Sequence, residues 1–273
     1  MLKLLLALAA LSSVPAQTLD GVVDIHAHCD PDSLARSIDA IDLAKLARDR
    51  GMRALVLKNH YEPTESLAFL VRKVVPGIEL FGGIALNRTV GGINLAAVEH
   101  MTQVKGGWGR VVWMPTFDAE NQVKYSKESR PFVSVSKDGA LLPEVREVIS
   151  FIAKHNLTLA TGHSSPAEDL MLIREARRAG VRSIVVTHAM LPPVGMNIDQ
   201  MRQAAHMGAY LEFVYNALIG PAKLSTFRNM RERFVQWGQS IASCRATWAR
   251  REILYIRMVC WRSSRRCVVK PSR

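Results

Sequence analysis

The chain has 273 residues, 48% of them hydrophobic, and a formal net charge of +12. This length allows one large core or two small ones, and no internal apolar run is long enough to span a bilayer. The charge is concentrated at one end, since residues 236–273 hold nine Lys or Arg and one acidic residue and so contribute +8. The remaining +4 is too small to favour a nucleic-acid-binding protein.

Residues 1–16 have the pattern of a secretory signal peptide. Lys3 precedes an apolar stretch from Leu4 to Leu11, and small residues around Ala16 provide a cleavage site. A buried first helix is the alternative. We expect a periplasmic or secreted protein with three parts, namely the signal at 1–16, a barrel domain at 17–230 and a basic tail at 231–273.

From residue 20 to residue 218 the pattern alternates between strand and helix. Apolar runs predict strands at 22–26, 54–57, 79–86, 110–114, 158–161, 183–187 and 209–215. Helical periodicity predicts helices at 34–50, 64–75, 94–104, 143–155, 166–179 and 198–206. A polar stretch at 118–139 is long enough for a lid or a substrate-binding loop.

This alternation predicts an α/β fold with a parallel sheet and crossover helices. The number of units favours a (β/α)8 TIM-barrel-like architecture over an open doubly wound sheet. The first strand is not followed by the G-x-G-x-x-G turn of dinucleotide-binding folds, which lowers that alternative further.

Five of the eight histidines lie at or just past the ends of predicted strands, where barrel active sites are built. They are His26, His28, His60, His163 and His188. His26 and His28 are two residues apart, so in a strand they point to the same side. Such a pair alone can arise by chance, but single histidines after two later strands favour a metal site. Imidazoles hold a divalent metal ion with an open position for water, and the ion makes hydroxide available near neutral pH.

At these residues the chain resembles the amidohydrolase superfamily of metal-dependent hydrolases, over roughly residues 20–218. It looks closest to an uncharacterised branch with the segments DIHAHCDPD and VLKNHYEPT. The resemblance implies that His26, His28, His163 and His188 are metal ligands. Zinc is the first expectation, with manganese or iron as alternatives.

Five further residues are candidates for the same site. Lys58 departs from the superfamily pattern, in which a modified lysine follows strand 4, and is expected to bind an anionic substrate group or to be an ordinary strand-end lysine. His60 is a weaker candidate for a substrate contact, and these two are the catalytic candidates. Asp24 is expected to orient a histidine as an acceptor, and Glu212 and Tyr215 to line the pocket.

The resemblance also implies an eighth strand that ends in a metal-binding Asp, and the chain lacks it. After Tyr215 the only acidic residues are Glu232 and Glu252, and residues 236–273 hold three of the four cysteines and three of the five tryptophans. A shifted reading frame explains this composition. With one allowed choice of codons for Gln239 to Cys244, reading from the third base gives EHRIL, and allowed synonymous codons continue without a stop to Lys270.

The shifted sequence contains an apolar strand, an Asp, a loop rich in Gly and Pro, and an amphipathic helix, which together form a βα unit. We therefore hypothesise a frameshift between about residues 223 and 236. A genuine basic appendage that binds anionic lipid or nucleic acid is the alternative. If the shift is real, the tail cysteines and arginines are not selected features.

The expected reaction is hydrolysis of an amide, ester or cyclic amide-like bond by metal-activated water, impaired in this chain if the carboxylate is missing. A non-catalytic metal-binding barrel and a barrel phosphoesterase are the alternatives. The expected partner is a small-molecule substrate, with no nucleic acid and no membrane after signal cleavage. The sequence leaves the substrate and the oligomeric state open.

Overall fold

A computed structural model describes residues 19–214 of the chain. Within this range the strands are β1 (Val23–Ala27), β2 (Ala54–Leu57), β3 (Glu79–Ala85), β4 (Gly109–Trp113), β5 (Ser136–Lys137), β6 (Ala140–Leu141), β7 (Thr158–Ala160), β8 (Ser183–Val186) and β9 (Tyr210–Leu211). The α-helices are α1 (Ala40–Asp49), α2 (Glu65–Val74), α3 (Leu95–Gln103), α4 (Glu120–Tyr125), α5 (Pro143–Lys154), α6 (Pro166–Ala179) and α7 (Ile198–His206), and a 3-10 helix spans Arg88–Val90.

Seven strands form one parallel sheet in the order β1-β2-β3-β4-β7-β8-β9, and β5 and β6 form a separate antiparallel hairpin. The predicted α/β alternation is confirmed. The sheet is strongly curled. The curl is shown by a contact between His26 on β1 and Glu212 beside β9, which lie at opposite ends of the strand order. The described residues therefore form an open, partial barrel.

Alternate residues along the strands face two different cores, as the two-residue period of a strand requires. On β4, Val111 and Trp113 belong to a small cluster on the concave side, whereas Val112 belongs to the large cluster between sheet and helices. The concave cluster also includes Val56 and Val185 from other strands. It forms a hydrophobic floor beneath the carboxyl ends of the strands.

The first predicted helix begins later than the pattern indicates. Helix α1 starts at Ala40, since Asp39 occupies the N-cap and accepts the backbone N–H groups of Ile41 and Asp42. Before it, Asp30 bonds through its backbone to Ile38 and Ala40, which closes a loop. The apolar residues in this segment misled the sequence-based prediction.

The polar stretch 118–139 contains secondary structure, contrary to the prediction of a plain loop. It includes α4 and the first strand of the hairpin. Asp118 and Glu120 hold the segment in place by backbone hydrogen bonds with Val133, at 2.7 and 3.1 Å. Arg130 adds ion pairs to the side chains of Asp118 and Glu128.

Within residues 19–214, no helix is long and apolar enough to cross a membrane. The last predicted strand is shorter than expected, with only Tyr210–Leu211 paired to β8. The signal peptide, Tyr215, the domain boundary near residue 230 and the basic tail lie outside the described residues.

Candidate functional site

Five imidazole rings from four different strands meet above the concave floor. The sequence predicted that the strand ends would bring these histidines to one edge, and the curled sheet closes them into a ring. The centroid distances around it are 5.1 Å for His26–His28, 4.7 Å for His28–His60, 6.1 Å for His60–His163, 4.9 Å for His163–His188 and 5.6 Å for His188–His26. We call these five residues the histidine ring.

Three buried nitrogen atoms of the histidine ring have no hydrogen-bond partner within the described residues. They are Nδ1 of His28, Nε2 of His163 and Nδ1 of His188. Each buried polar atom without a partner costs about 1–3 kcal/mol. Three of them within one cluster of rings are the arrangement expected where a bound group completes the site.

The imidazole of His26 is held from both sides by the protein. Its Nδ1 lies 3.0 Å from both carboxylate oxygens of Glu212, and its Nε2 lies 2.9 Å from Nζ of Lys58. Since a lysine amine donates and a carboxylate accepts, the Nδ1 atom carries the proton and the Nε2 lone pair faces Lys58. A carboxylate behind an imidazole is a common way to orient a metal-binding histidine.

Glu212 joins the first strand to the last part of the described chain. It is 1% exposed, and it also accepts the backbone N–H of His188 at 2.9 Å. His26, His188 and Glu212 each offer a ligand atom, and these atoms all lie within 4.8 Å of one another. This trio could hold a metal ion, and it includes a carboxylate.

His163 is oriented by residues of α4. Its Nδ1 atom lies 2.8 Å from Oε1 of Gln122, so Nδ1–H donates and the lone pair of Nε2 is left free. Asn121 donates to the backbone carbonyls of His163 and Pro193, both at 3.0 Å. Helix α4, which lies in the segment predicted as a loop, thus fixes the orientation of His163.

Burial keeps the imidazoles neutral. Desolvation holds the pKa of His26, His28 and His163 well below the usual value, and Lys58 adds to the effect. For His188, burial lowers the pKa to about 3 although Glu212 opposes the shift. Neutral imidazole is the form that binds a metal ion.

Lys58 lies within the site and not at its surface. It is 1% exposed, and its Nζ lies 5.0 Å from the centroid of the Trp113 ring. Burial lowers the pKa of Lys58 to about 7, and Glu212 limits the shift. The amine can therefore exchange a proton near neutral pH.

Asp24 differs from its predicted role. Its Oδ1 atom accepts the backbone N–H of His26 at 2.8 Å, so it holds the main chain, while Glu212 is the acceptor for the imidazole. Burial raises the pKa of Asp24 to about 6. Its spacing of two residues from His26 favours this local contact over a contact with the ring.

His60 is placed differently from the other rings. It stacks on Phe117 at 3.9 Å and on His28 at 4.7 Å, and its Nδ1 lies 2.8 Å from Oγ1 of Thr116. Desolvation, together with Lys58 and the neighbouring histidines, lowers its pKa far below the usual range. His60 is therefore a neutral ring with one nitrogen engaged by a hydroxyl.

Sequence reasoning missed four residues that support the site, namely Asn87, Thr116, Phe117 and Gln122. Asn87 follows β3 and Thr116 follows β4, so their positions at strand ends were an available signal. Gln122 had no such signal. The predicted pocket residue Tyr215 lies outside the described range.

The fold and the site define an α/β protein with a partial parallel barrel and a histidine cluster at the strand ends that could hold a metal ion. The chain belongs to the family of unknown function DUF6282, whose profile matches residues 21–212. All five ring histidines and Glu212 lie within the matched range. A search of curated protein sequences finds no match.

Solved structures with some similarity include three metal-dependent or hydrolytic enzymes. An amidohydrolase from Pseudomonas aeruginosa is 14% identical with a TM-score of 0.47, and the match covers 71% of this chain and 62% of that protein. A prolidase complexed with N-methylphosphonate-L-proline is 16% identical with a TM-score of 0.40, covering 74% and 55%. Histidinol phosphate phosphatase from Lactococcus lactis, complexed with zinc, is 10% identical with a TM-score of 0.30, covering 70% and 95%.

Proposed function

We propose that the histidine ring binds a divalent metal ion and that the protein is a metal-dependent hydrolase. The observation that carries the proposal is the set of three buried imidazole nitrogens beside His26 and Glu212 that have no partner in the described part of the chain. His28, His163 and His188 would hold the ion through these nitrogens, and His26 would join them through Nε2 in place of its contact with Lys58, with Glu212 as the neighbouring carboxylate. Such a donor set suits zinc first, and also manganese or iron.

When bound, the ion supplies a water molecule of lowered pKa for attack on a carbonyl carbon. Around the ion, the residues of the chain orient the imidazoles and exchange protons. Glu212 accepts from Nδ1 of His26, and burial raises the pKa of this carboxyl, while His188 and Lys58 oppose the shift. Glu212 is therefore our candidate for the general base, in place of the Asp that the resemblance implies after an eighth strand.

Lys58 and His60 would act on the substrate. The buried amine of Lys58 suits an oxygen that carries or develops negative charge, and His60 lies on the other side of His28 from His26. The substrate class that this arrangement supports is a small molecule with an amide, ester or cyclic amide bond, as in the superfamily that the sequence resembles. The specific substrate depends on loop side chains.

The test is a hydrolase screen on the purified full chain loaded with zinc or manganese. The panel contains amides, esters, cyclic amides and phosphate monoesters, and the matched control is the double variant His28→Gln/His163→Gln. Turnover of a carbonyl substrate that is lost in the double variant supports the proposal. Turnover of phosphate esters alone supports a phosphoesterase, and metal binding without any turnover supports a non-catalytic barrel.

We also propose that the protein is exported by the signal at residues 1–16, that 17–230 form the barrel domain, and that the 231–273 tail results from a frameshift. Support comes from the composition of the sequence, since codons allowed by the tail residues can be chosen so that the shifted frame reads as a βα unit. Sequencing the gene and expressing a frame-restored chain test the tail. A restored chain that is more stable and more active than this one supports the frameshift, and equal behaviour of the two chains argues against it.

A further inference from the structure

A hydrogen-bond chain behind His60 determines which of its nitrogens carries the proton. Its first member is Asn87, which is fully buried just past β3. The Oδ1 atom of Asn87 accepts the backbone N–H groups of Thr116 at 2.8 Å and Asp118 at 3.2 Å. Because backbone N–H groups only donate, the orientation of this side-chain amide is fixed, and its Nδ2 must be the donor.

Thr116 links Asn87 to His60, and its hydroxyl group fixes the direction of the next hydrogen bond. Asn87 Nδ2 donates to the backbone carbonyl of His60 at 2.7 Å and to Oγ1 of Thr116 at 2.6 Å. The Thr116 side chain is fully buried, and within residues 19–214 the acceptor left for its own hydroxyl proton is Nδ1 of His60. If Nδ1 carried a proton instead, the hydroxyl proton would be buried without a partner, which is unfavourable. Nδ1 is therefore the acceptor, and Nε2 carries the proton.

We propose that Asn87 and Thr116 are positioning residues that hold His60 as a hydrogen-bond donor, with Nε2–H presented to a carbonyl or anionic oxygen of the substrate. This role deepens the proposed hydrolytic function and rests on it. Nε2 of His60 has no hydrogen-bond partner in the described part of the chain and is not among its fully buried unpartnered atoms, so it is open to a ligand. Stacking on both His28 and Phe117 keeps the ring from turning.

His163 has the opposite arrangement, which explains how two nearby imidazoles take different tasks. Its Nδ1 faces the acceptor oxygen of Gln122, so its Nε2 offers a lone pair, and that atom is buried. His60 faces a hydroxyl donor and so offers an N–H. The hydrogen-bond partner of Nδ1 thus determines whether Nε2 can bind a metal ion, as in His163, or donate a proton, as in His60.

The tautomer can be measured without metal or turnover, by two-bond nitrogen–proton correlation NMR on the full chain with nitrogen-15-labelled histidine. We expect His60 in the metal-free protein to carry its proton on Nε2, with the signal assigned from its loss in His60→Gln. Thr116→Ser keeps the hydroxyl and should keep this signature, whereas Thr116→Val should give a mixture of tautomers. A wild-type His60 protonated on Nδ1 would overturn the inference and leave the metal site unaffected.

Acetate is the probe for the donor role, since its carboxylate stands in for a substrate oxygen. Added to the zinc-loaded chain, acetate should shift the Nε2–H resonance of His60 in the wild type, in Thr116→Ser and in the exposed control His100→Gln. Its affinity should fall in Thr116→Val in proportion to the fraction of molecules that no longer carry the proton on Nε2, about twofold for an equal mixture of tautomers. If saturating acetate leaves the His60 resonance of the wild type unchanged, the donor role is wrong.

Discussion

The Nδ1 atom of His26 and the carboxylate of Glu212 lie 3.0 Å apart, although 186 residues and five strands of the sheet separate them. The contact exists because the sheet curls far enough for side chains from its two ends to meet. It places a buried carboxylate beside the metal-binding pattern of the first strand. The site therefore contains an acidic group within the described residues, even without the Asp that the resemblance implies after an eighth strand.

Glu212→Gln tests the importance of this carboxylate. Glutamine can still accept from His26, but it loses the charge, and its amide N–H would face the backbone N–H of His188. We expect metal affinity to fall by about 10–100-fold, as for other groups behind a metal-binding imidazole. Isothermal titration calorimetry with zinc measures it, and Glu147→Gln, an exposed change on α5, should have no effect. Unchanged affinity in Glu212→Gln would remove Glu212 from the site.

Gln122→Leu tests the orientation of His163. It removes the acceptor of the His163 Nδ1–H bond, so the ring loses its fixed tautomer. We expect zinc affinity to fall by about 10–100-fold, with Gln122→Glu close to wild type because the acceptor is kept. Gln122 also bonds to Ser126, so Ser126→Ala is the control for loss of that contact alone. A decrease of the same size in Ser126→Ala would contradict the role of Gln122.

Gly162→Ala tests the backbone that presents His163. Gly162 has a φ of +67°, and an added Cβ would press on the backbone carbonyls of Met114 and Pro115. Gly139 has a similar φ of +77° with no atom near the added Cβ, so Gly139→Ala carries the conformational cost without the clash. We expect Gly162→Ala to lose about 2 kcal/mol more than Gly139→Ala in urea unfolding. Equal losses of unfolding free energy in the two variants would mean that the backbone around Gly162 moves to accommodate the added Cβ.

Asp169→Asn tests a buried carboxyl away from the ring. Asp169 on α6 is fully buried, and within residues 19–214 neither of its oxygens has a partner at good hydrogen-bond geometry. Burial raises its pKa well above the usual value, although its neighbour Thr161 opposes this. The folded chain therefore binds a proton that the unfolded chain releases, so stability falls as the pH rises from about 4 towards the folded-state pKa.

The amide of asparagine resembles the protonated carboxyl and does not titrate. We expect the wild type to lose stability with a slope of up to about 1.4 kcal/mol per pH unit across that window and Asp169→Asn to lose less. Urea unfolding midpoints between pH 5 and pH 8 measure the difference, with Glu147→Gln as the exposed control. Parallel pH profiles for wild type and Asp169→Asn would show that Asp169 is ionised in the folded state.

Much of the scaffold could be predicted from the sequence, because apolar runs and strand-end histidines are local features. The ranges of β2, α6 and α7 match the prediction. The start of α1 could not be predicted from periodicity, since the Asp39 cap decided it. Nor could the pairing of His26 with Glu212, which depends on how far the whole sheet curls.

The measurement that tests the metal site most directly is X-ray absorption spectroscopy of the zinc-loaded full chain. The histidine ring predicts one zinc per chain with nitrogen or oxygen ligands at about 2.0–2.1 Å, lost in His28→Gln/His163→Gln. Sulfur ligands at about 2.3 Å would place the metal on cysteine instead. That result, or equal zinc content in the double variant, would contradict a metal centre at His26, His28, His163 and His188.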